Sequence, residues 1–181
     1  MTGSPVPSKK LPQLTVVIGG ARSGKSRLAE SLVSATHLPR HYIATAQAFD
    51  AEMHARIARH LADRGPDWTT HECPLDLPPL LAAIPTGHAA LLDCATLWLT
   101  NHLLAGADIA AVTAALLTAL HSCTPIVVVT NEVGWSIVPD NALARAFRDH
   151  QGRLNQALAA QADLVIAVIA GLPMVLKGTV P

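Results

Sequence analysis

Gly19-Gly20-Ala21-Arg22-Ser23-Gly24-Lys25-Ser26 is a G-x-x-x-x-G-K-S phosphate loop, standing between a short apolar run, Leu14 to Ile18, and a stretch with helical spacing, Arg27 to Val33. A strand-to-helix junction is the context that gives this motif its meaning. Glycines let successive backbone N–H groups turn inward around phosphate oxygens, and the start of the following helix adds partial positive charge. Lys25 would reach the outer phosphates. Ser26 would offer its hydroxyl to Mg²⁺, so a nucleoside triphosphate would arrive as its magnesium complex.

Working outward, apolar runs and helical patterns alternate. Strands are expected at 14–18, 41–45, 68–72, 89–93, 126–130 and 163–169. Helices are expected at 25–35, 50–63, 77–84, 96–105, 109–121 and 141–161. Such alternation predicts an α/β fold of three layers, of the P-loop (RecA-like) kind, with a mainly parallel sheet and right-handed crossovers. Residues 14–181 are expected to form one catalytic domain, with 1–13 a flexible N-terminal tail. Hydrophobic residues are 50% of the chain and aromatics 3%, which suits a core of aliphatic side chains. The 13 basic and 13 acidic residues balance, so no global charge calls for nucleic acid or an anionic membrane. The uncharged stretch Ile109 to Asn131 is split by His121 and Pro125 into a helix and a strand, which argues against membrane insertion. Cys73, Cys94 and Cys123 are widely spaced and odd in number, which indicates neither a disulfide framework nor a zinc site and makes the cytoplasm the expected compartment.

In open parallel sheets ligands sit beyond the carboxyl ends of the strands. The residues there are polar: Thr45 after the second strand, Asp93 after Ala89 to Leu92, and Thr130, Asn131 and Glu132 after Val127 to Val129. Asp93 is placed either to hold Mg²⁺, directly or through water, or to cap the next helix. Glu132 could orient a hydroxyl substrate, hold a water or cap a turn. Asp140 or Asn141 should cap the long helix, on which Arg145, Arg148 and Arg153 read as a solvated face. In the segment 50–64, Arg56, His60 and Arg64 recur every four residues and line one helix side. Flanking arginines disfavour imidazolium and leave His60 neutral, able to attack an α-phosphorus, though a passing histidine on an exposed helix fits the spacing too. Residue chemistry alone thus points to a small-molecule kinase or a related nucleotide-using enzyme. A nucleotide-dependent switch is the competing class, but the chain has no obvious N-K-x-D guanine-reading segment.

The phosphate loop, Tyr42-Ile43-Ala44-Thr45-Ala46, Asp50 to Trp68, Asp93 to Asn101, Asn131-Glu132-Val133-Gly134, Ile137 to Arg145, Phe147-Arg148-Asp149, Gly152 to Gln156 and Gly171-Leu172-Pro173 together resemble one family closely. It is the bifunctional adenosylcobinamide kinase/adenosylcobinamide-phosphate guanylyltransferase family of cobalamin biosynthesis, and the resemblance runs from about residue 14 to 178. It implies ATP- or GTP-dependent phosphorylation of the aminopropanol hydroxyl of adenosylcobinamide. Transfer of GMP from GTP through a guanylylated histidine, matched by His60, then gives adenosylcobinamide-GDP. The resemblance further implies nucleotide contacts from Gly19 to Ser26, Ala44, Thr45, Ala46, Leu61, Ala62, Asp63, Arg64, Glu72 and Asp93, with Ser26 and Asp93 at the metal. It also implies a corrinoid substrate and a homotrimer. Ser136 stands where the family usually has a glycine, which would restrict the loop near Glu132 if that position needs a positive φ.

Overall fold

In the computed structural model, which describes residues 10–47, 67–122 and 124–181, the apolar runs form strands covered on both faces. The elements in chain order are β1 (Leu14–Gly19), α1 (Lys25–Ser34), β2 (Arg40–Ala44), β3 (Trp68–Glu72), α2 (Leu77–Ala83) and β4 (Ala89–Asp93). They continue with α3 (Ala95–Leu104), α4 (Ile109–Ser122), β5 (Ile126–Asn131), α5 (Ala142–Gln161), β6 (Leu164–Ile169) and β7 (Leu172–Lys177). One seven-stranded sheet results, in the order β3-β2-β4-β5-β1-β6-β7. Every neighbouring pair is parallel except β6 and β7.

Alternation along the strands divides the core in two, because successive side chains point to opposite faces. Val16, Ile43, Leu92 and Val128 face a layer built from Leu77 and Leu81 of α2, Trp98 and Leu99 of α3, Leu116 and Leu120 of α4, and Leu154 and Leu158 of α5. Val17, Leu91, Val127, Val129 and Ile166 face Ala29 and Val33 of α1. Burial on both faces explains why these strands read as continuous apolar runs rather than alternating ones. Each fully buried Leu, Ile or Val contributes about 1.5–3 kcal/mol.

The expected strand and helix positions agree with the observed elements to within a residue or two, and the expected helix 50–63 lies outside the described residues. Two differences are informative. Leu11 is buried in the α1-side core, and Gln13 accepts a hydrogen bond from the Ile126 backbone, so packed structure begins before residue 14. An unexpected strand, β7, follows β6 through Ala170 and Gly171, whose φ values of 52° and 81° put both central residues of a two-residue turn in the left-handed region. That geometry matches the twist of antiparallel strands. Pro173 is tolerated because β7 is an edge strand. The uncharged stretch Ile109 to Asn131 is divided between α4 and β5, as expected, and among the described residues no helix is long and apolar enough to cross a membrane.

Candidate nucleotide and acceptor site

The loop after β1 takes the form its glycines require. Gly24 has φ of 94°, a left-handed position that turns the chain into α1, and α1 begins with no side chain bonded to its first N–H groups. Gly19 is required for a different reason. A Cβ there would lie 2.5 Å from the Val168 carbonyl oxygen and 2.6 Å from Ser23 Oγ. Lys25 is buried and its Nζ donates to the Gly20 carbonyl at 3.2 Å, folding the side chain back along the loop. Ser26 is half-buried in the first turn of α1, while Ala21 and Arg22 are exposed, Arg22 with φ of 57°. Ser23 ties the loop to the β6–β7 turn, its carbonyl accepting from Gly171 N at 3.0 Å. A helix start without a side-chain cap, preceded by a left-handed glycine, is the cradle a phosphate completes.

Asp93 ends β4 in register with Val129 of β5, which pairs with Val17 of β1. Asp93 therefore sits two strands, about 9–10 Å, across from the foot of the phosphate loop. Its carboxylate accepts from the Tyr42 hydroxyl at 2.7 Å. It does not cap α3, whose N-cap is Cys94 without a side-chain bond. Burial pushes the Cys94 thiol up to about 11, with the Asp93 carboxylate adding to the effect, so it is a neutral thiol and no nucleophile at pH 7. Ala44 pairs with Asp93 on one side and Glu72 on the other, which brings Glu72, exposed at the end of β3, to the same edge.

Thr45 is fully buried and acts on the backbone. Its hydroxyl donates to the Cys94 carbonyl and accepts from the Cys94 N–H, both at 2.8 Å. The Thr45 N–H donates to the Asp93 carbonyl at 3.2 Å, and the Thr45 carbonyl accepts from Asn101 Nδ2 at 2.9 Å. The segment Ala44-Thr45-Ala46 is thereby clamped to the chain that carries Asp93. Only Thr45's backbone role is defined by these bonds.

At the end of β5, the Glu132 N–H donates to the Gly19 carbonyl at 3.1 Å, and its side chain folds back so that Oε1 accepts from Gly134 N at 2.5 Å. A Cβ at Gly134 would lie 2.8 Å from that oxygen, so glycine permits the fold-back. Beneath this turn lies a buried polar network that sequence reasoning missed. Thr130 Oγ1 donates to Asn155 Oδ1 at 2.7 Å, Gln151 Nε2 donates to Thr130 Oγ1 at 2.9 Å and to Asn155 Oδ1 at 2.8 Å, and Asn155 Nδ2 donates to the Asn131 carbonyl at 3.0 Å. Asn131 N donates to Thr96 Oγ1 at 2.8 Å. Thus α5 and α3 together hold the chain leaving β5. The available signal was polar residues at i and i+4, Gln151 and Asn155, on the face of α5 that otherwise carries Leu154 and Leu158. Asn141 caps α5, accepting from Ala144 N at 2.7 Å, and Asp140 does not. The concern over Ser136 dissolves: the described non-glycine residues with positive φ are Arg22, His37 and Ala170, so serine is unstrained there.

The donor set suits a hard cation. Ser26 and Asp93 offer oxygens only, and Mg²⁺ takes one or two such protein ligands beside phosphate and water. The site residues His60, Leu61, Ala62, Asp63 and Arg64 lie outside the described residues.

The family model described as cobinamide kinase / cobinamide phosphate guanyltransferase matches residues 15–176. The chain belongs to that family. As a member of the cobinamide kinase family, it is 46% identical over 167 residues to the bifunctional adenosylcobalamin biosynthesis protein CobP of Pseudomonas aeruginosa, covering 90% of this chain and 96% of the relative. It is 44% identical to the bifunctional adenosylcobalamin biosynthesis protein CobU of Salmonella typhimurium over 91% of this chain and 99% of the relative. The Escherichia coli protein of the same description is 41% identical over 91% and 99%. Fold likeness reaches further. An ATPase of a bacterial type III secretion system superposes with a TM-score of 0.53 at 12% identity, over 91% of this chain and 57% of that one. The flagellar accessory protein FlaH of Methanocaldococcus jannaschii gives 0.52 at 11% identity, over 93% and 80%.

Proposed function

We propose that this cobinamide kinase family member carries out both steps at the carboxyl edge of its sheet. It phosphorylates adenosylcobinamide on the aminopropanol hydroxyl and then joins GMP from GTP to the product, giving adenosylcobinamide-GDP. The observation that carries the reading is the uncapped start of α1 behind left-handed Gly24, with Asp93 held by Tyr42 on the same edge. In the kinase step the loop from Gly19 to Ser26 cradles the triphosphate; the substrate hydroxyl oxygen bonds to the γ-phosphorus and gives up its proton to solvent, as the bond to the bridging oxygen breaks and the nucleoside diphosphate leaves with its electron pair. Mg²⁺, held by Ser26 and Asp93, would neutralise charge growing on the phosphates.

In the second step a neutral His60 nitrogen bonds to the α-phosphorus of GTP and pyrophosphate leaves. An oxygen of the acceptor phosphate then bonds to that phosphorus, and the electron pair of the broken phosphorus–nitrogen bond returns to the imidazole. Leu61 to Arg64, Glu72, Ala44 and Ala46 contribute further nucleotide contacts. The protein works as a homotrimer in the cytoplasm. Membership of a family described by both activities, and identity to relatives named bifunctional, support this reading.

Labelling with [α-³²P]GTP tests it. Radiolabel should remain on the denatured protein as an acid-labile, base-stable adduct, and His60→Ala should abolish it while sparing the kinase step more. Label that persists in His60→Ala rejects the histidine. A simple alcohol kinase would instead release no pyrophosphate from GTP. Sedimentation of the full chain measures the oligomer, and a monomer would reject the trimer.

A further inference from the structure

An open cleft of about 330 Å³ lies between α5 and the loop after β5, lined by Gly134, Arg148, Asp149, Gly152, Arg153 and Gln156. Its position ties it to the reaction. Gly134 is two residues beyond Glu132, whose N–H is bonded to the Gly19 carbonyl, so the cleft wall starts within about 12 Å of the foot of the phosphate loop. At about 330 Å³ the cleft is large enough for a phosphate and a short arm and too small for a whole corrinoid. Two guanidiniums face one carboxylate there. Arg148 meets Asp149 through a single 3.4 Å contact, a long one for a charge pair, and Arg153 is exposed.

Gly152 supplies the second argument. It lies inside the twenty-residue helix α5, where glycine destabilises relative to alanine. Interior glycines are usually explained by a neighbour too close for a side chain. Here, beyond the adjoining residues and the helix's own backbone, no atom of the described chain lies within 4 Å of the position a Cβ would take. The bare backbone therefore faces open space in the cleft, between Arg148 one turn before, Arg153 beside it and Gln156 one turn after. Space kept empty at a cost to helix stability, beside two forked donors, is what an incoming anion requires.

We propose that this cleft is the acceptor subsite of guanylyl transfer, binding the phosphate monoester end of the corrinoid substrate through Arg148 and Arg153 over Gly152. The inference rests on the two-step reading above and names where its second substrate enters. The nucleotide's phosphates occupy the loop from Gly19 to Ser26; the acceptor phosphate approaches from the α5 side, past Glu132.

The test uses the full chain with GTP, Mg²⁺ and adenosylcobinamide phosphate. Arg148→Gln and Arg153→Gln should each raise the KM for adenosylcobinamide phosphate at least tenfold, and the pair more. The GTP concentration for half-maximal histidine labelling should shift by a much smaller factor. Gly152→Ala is the decisive variant, because a purely structural role predicts only gain. It should raise the thermal midpoint and still raise the acceptor KM several-fold. An acceptor KM within twofold of the parent in the arginine variants overturns the proposal. So does a stabilised Gly152→Ala with unaltered KM, or a KM rise seen only together with loss of the native oligomer. Failure of the parent protein to label with GTP or transfer GMP at all would reject the two-step reading itself, a result these KM comparisons cannot be confused with.

Discussion

Replacing Thr45 by valine isolates the hydroxyl that holds the Asp93 segment, because the two side chains have nearly the same shape. Thr45 is fully buried, and its oxygen both donates to and accepts from the Cys94 backbone at 2.8 Å. The two halves of that exchange are lost unequally. The Cys94 carbonyl keeps a partner, since it also accepts from Trp98 N at 3.2 Å, so its share is an ordinary net hydrogen bond of about 1 kcal/mol. The Cys94 N–H lies at a buried residue and is left without its acceptor, which costs about 1–3 kcal/mol. Thr45→Val should therefore destabilise by about 2–4 kcal/mol, a large share of the 5–15 kcal/mol typical of a domain. Thr45→Ser keeps the oxygen and loses one methyl, about 1 kcal/mol. Urea unfolding followed by circular dichroism reads both, with the valine midpoint falling by about 1–2 M at an unchanged slope. A valine variant within about 1 kcal/mol of the parent, or a serine variant worse than valine, would refute the claim that Thr45 works through its hydroxyl.

Gly19→Ala should destabilise by about 1–3 kcal/mol and weaken nucleotide binding, since its Cβ would meet Val168 O and Ser23 Oγ. Gly20→Ala, with nothing within 4 Å, should leave unfolding within about 0.5 kcal/mol, so equal effects in thermal melts would contradict the loop geometry. Tyr42→Phe removes the donor that orients the Asp93 carboxylate, and the Mg²⁺ concentration for half-maximal kinase rate should rise several-fold; an unchanged Mg²⁺ titration would dissociate Asp93 from the metal. Burial, followed by the neighbouring His71 and His88, holds His41 below the ordinary imidazole value. Because the folded chain resists protonation that the unfolded chain accepts near pH 6.5, this contribution is complete above about pH 6.5 and is lost as pH falls through the lower folded value. Unfolding free energy should therefore fall less steeply from pH 7 to 5 in His41→Gln than in the parent, and parallel slopes would remove His41 from the account.

What could be read from residues and what could not divides by the range of the forces involved. The phosphate loop is a local device: its glycines, its lysine and its flanking strand and helix lie within some twenty positions, so its conformation follows from nearby sequence. Asp93 was legible for the same reason, as a carboxylate ending an apolar run, but its partner Tyr42 was not, because 51 positions separate them. The row formed by His71, His41 and His88, with ring nitrogens 2.9 Å and 2.8 Å apart, was invisible on similar grounds, spanning 30 and 47 positions. It lies three residues before the end of β2, about 10 Å below the site edge, so its role is in the sheet rather than in catalysis. β7 was missed because its turn is Ala170-Gly171, where alanine is a poor signal for a left-handed residue, and because Pro173 argues against a strand unless the strand lies at an edge.

Gly152 shows the converse, a local irregularity whose cause is not local. A glycine among good helix formers such as Gln151, Arg153 and Leu154 reads in sequence only as a small penalty, and the fold around it offers no contact that would make it necessary. Arg148 and Arg153 likewise read as a solvated face, because helical spacing cannot tell a surface that meets water from one that meets a ligand. The distinction appears once Gly134, in the loop after β5, is seen to share an open cleft with that face of α5, next to the strand end that is bonded to Gly19. A penalty retained inside a helix, where alanine would fit, has its explanation in whatever enters that space.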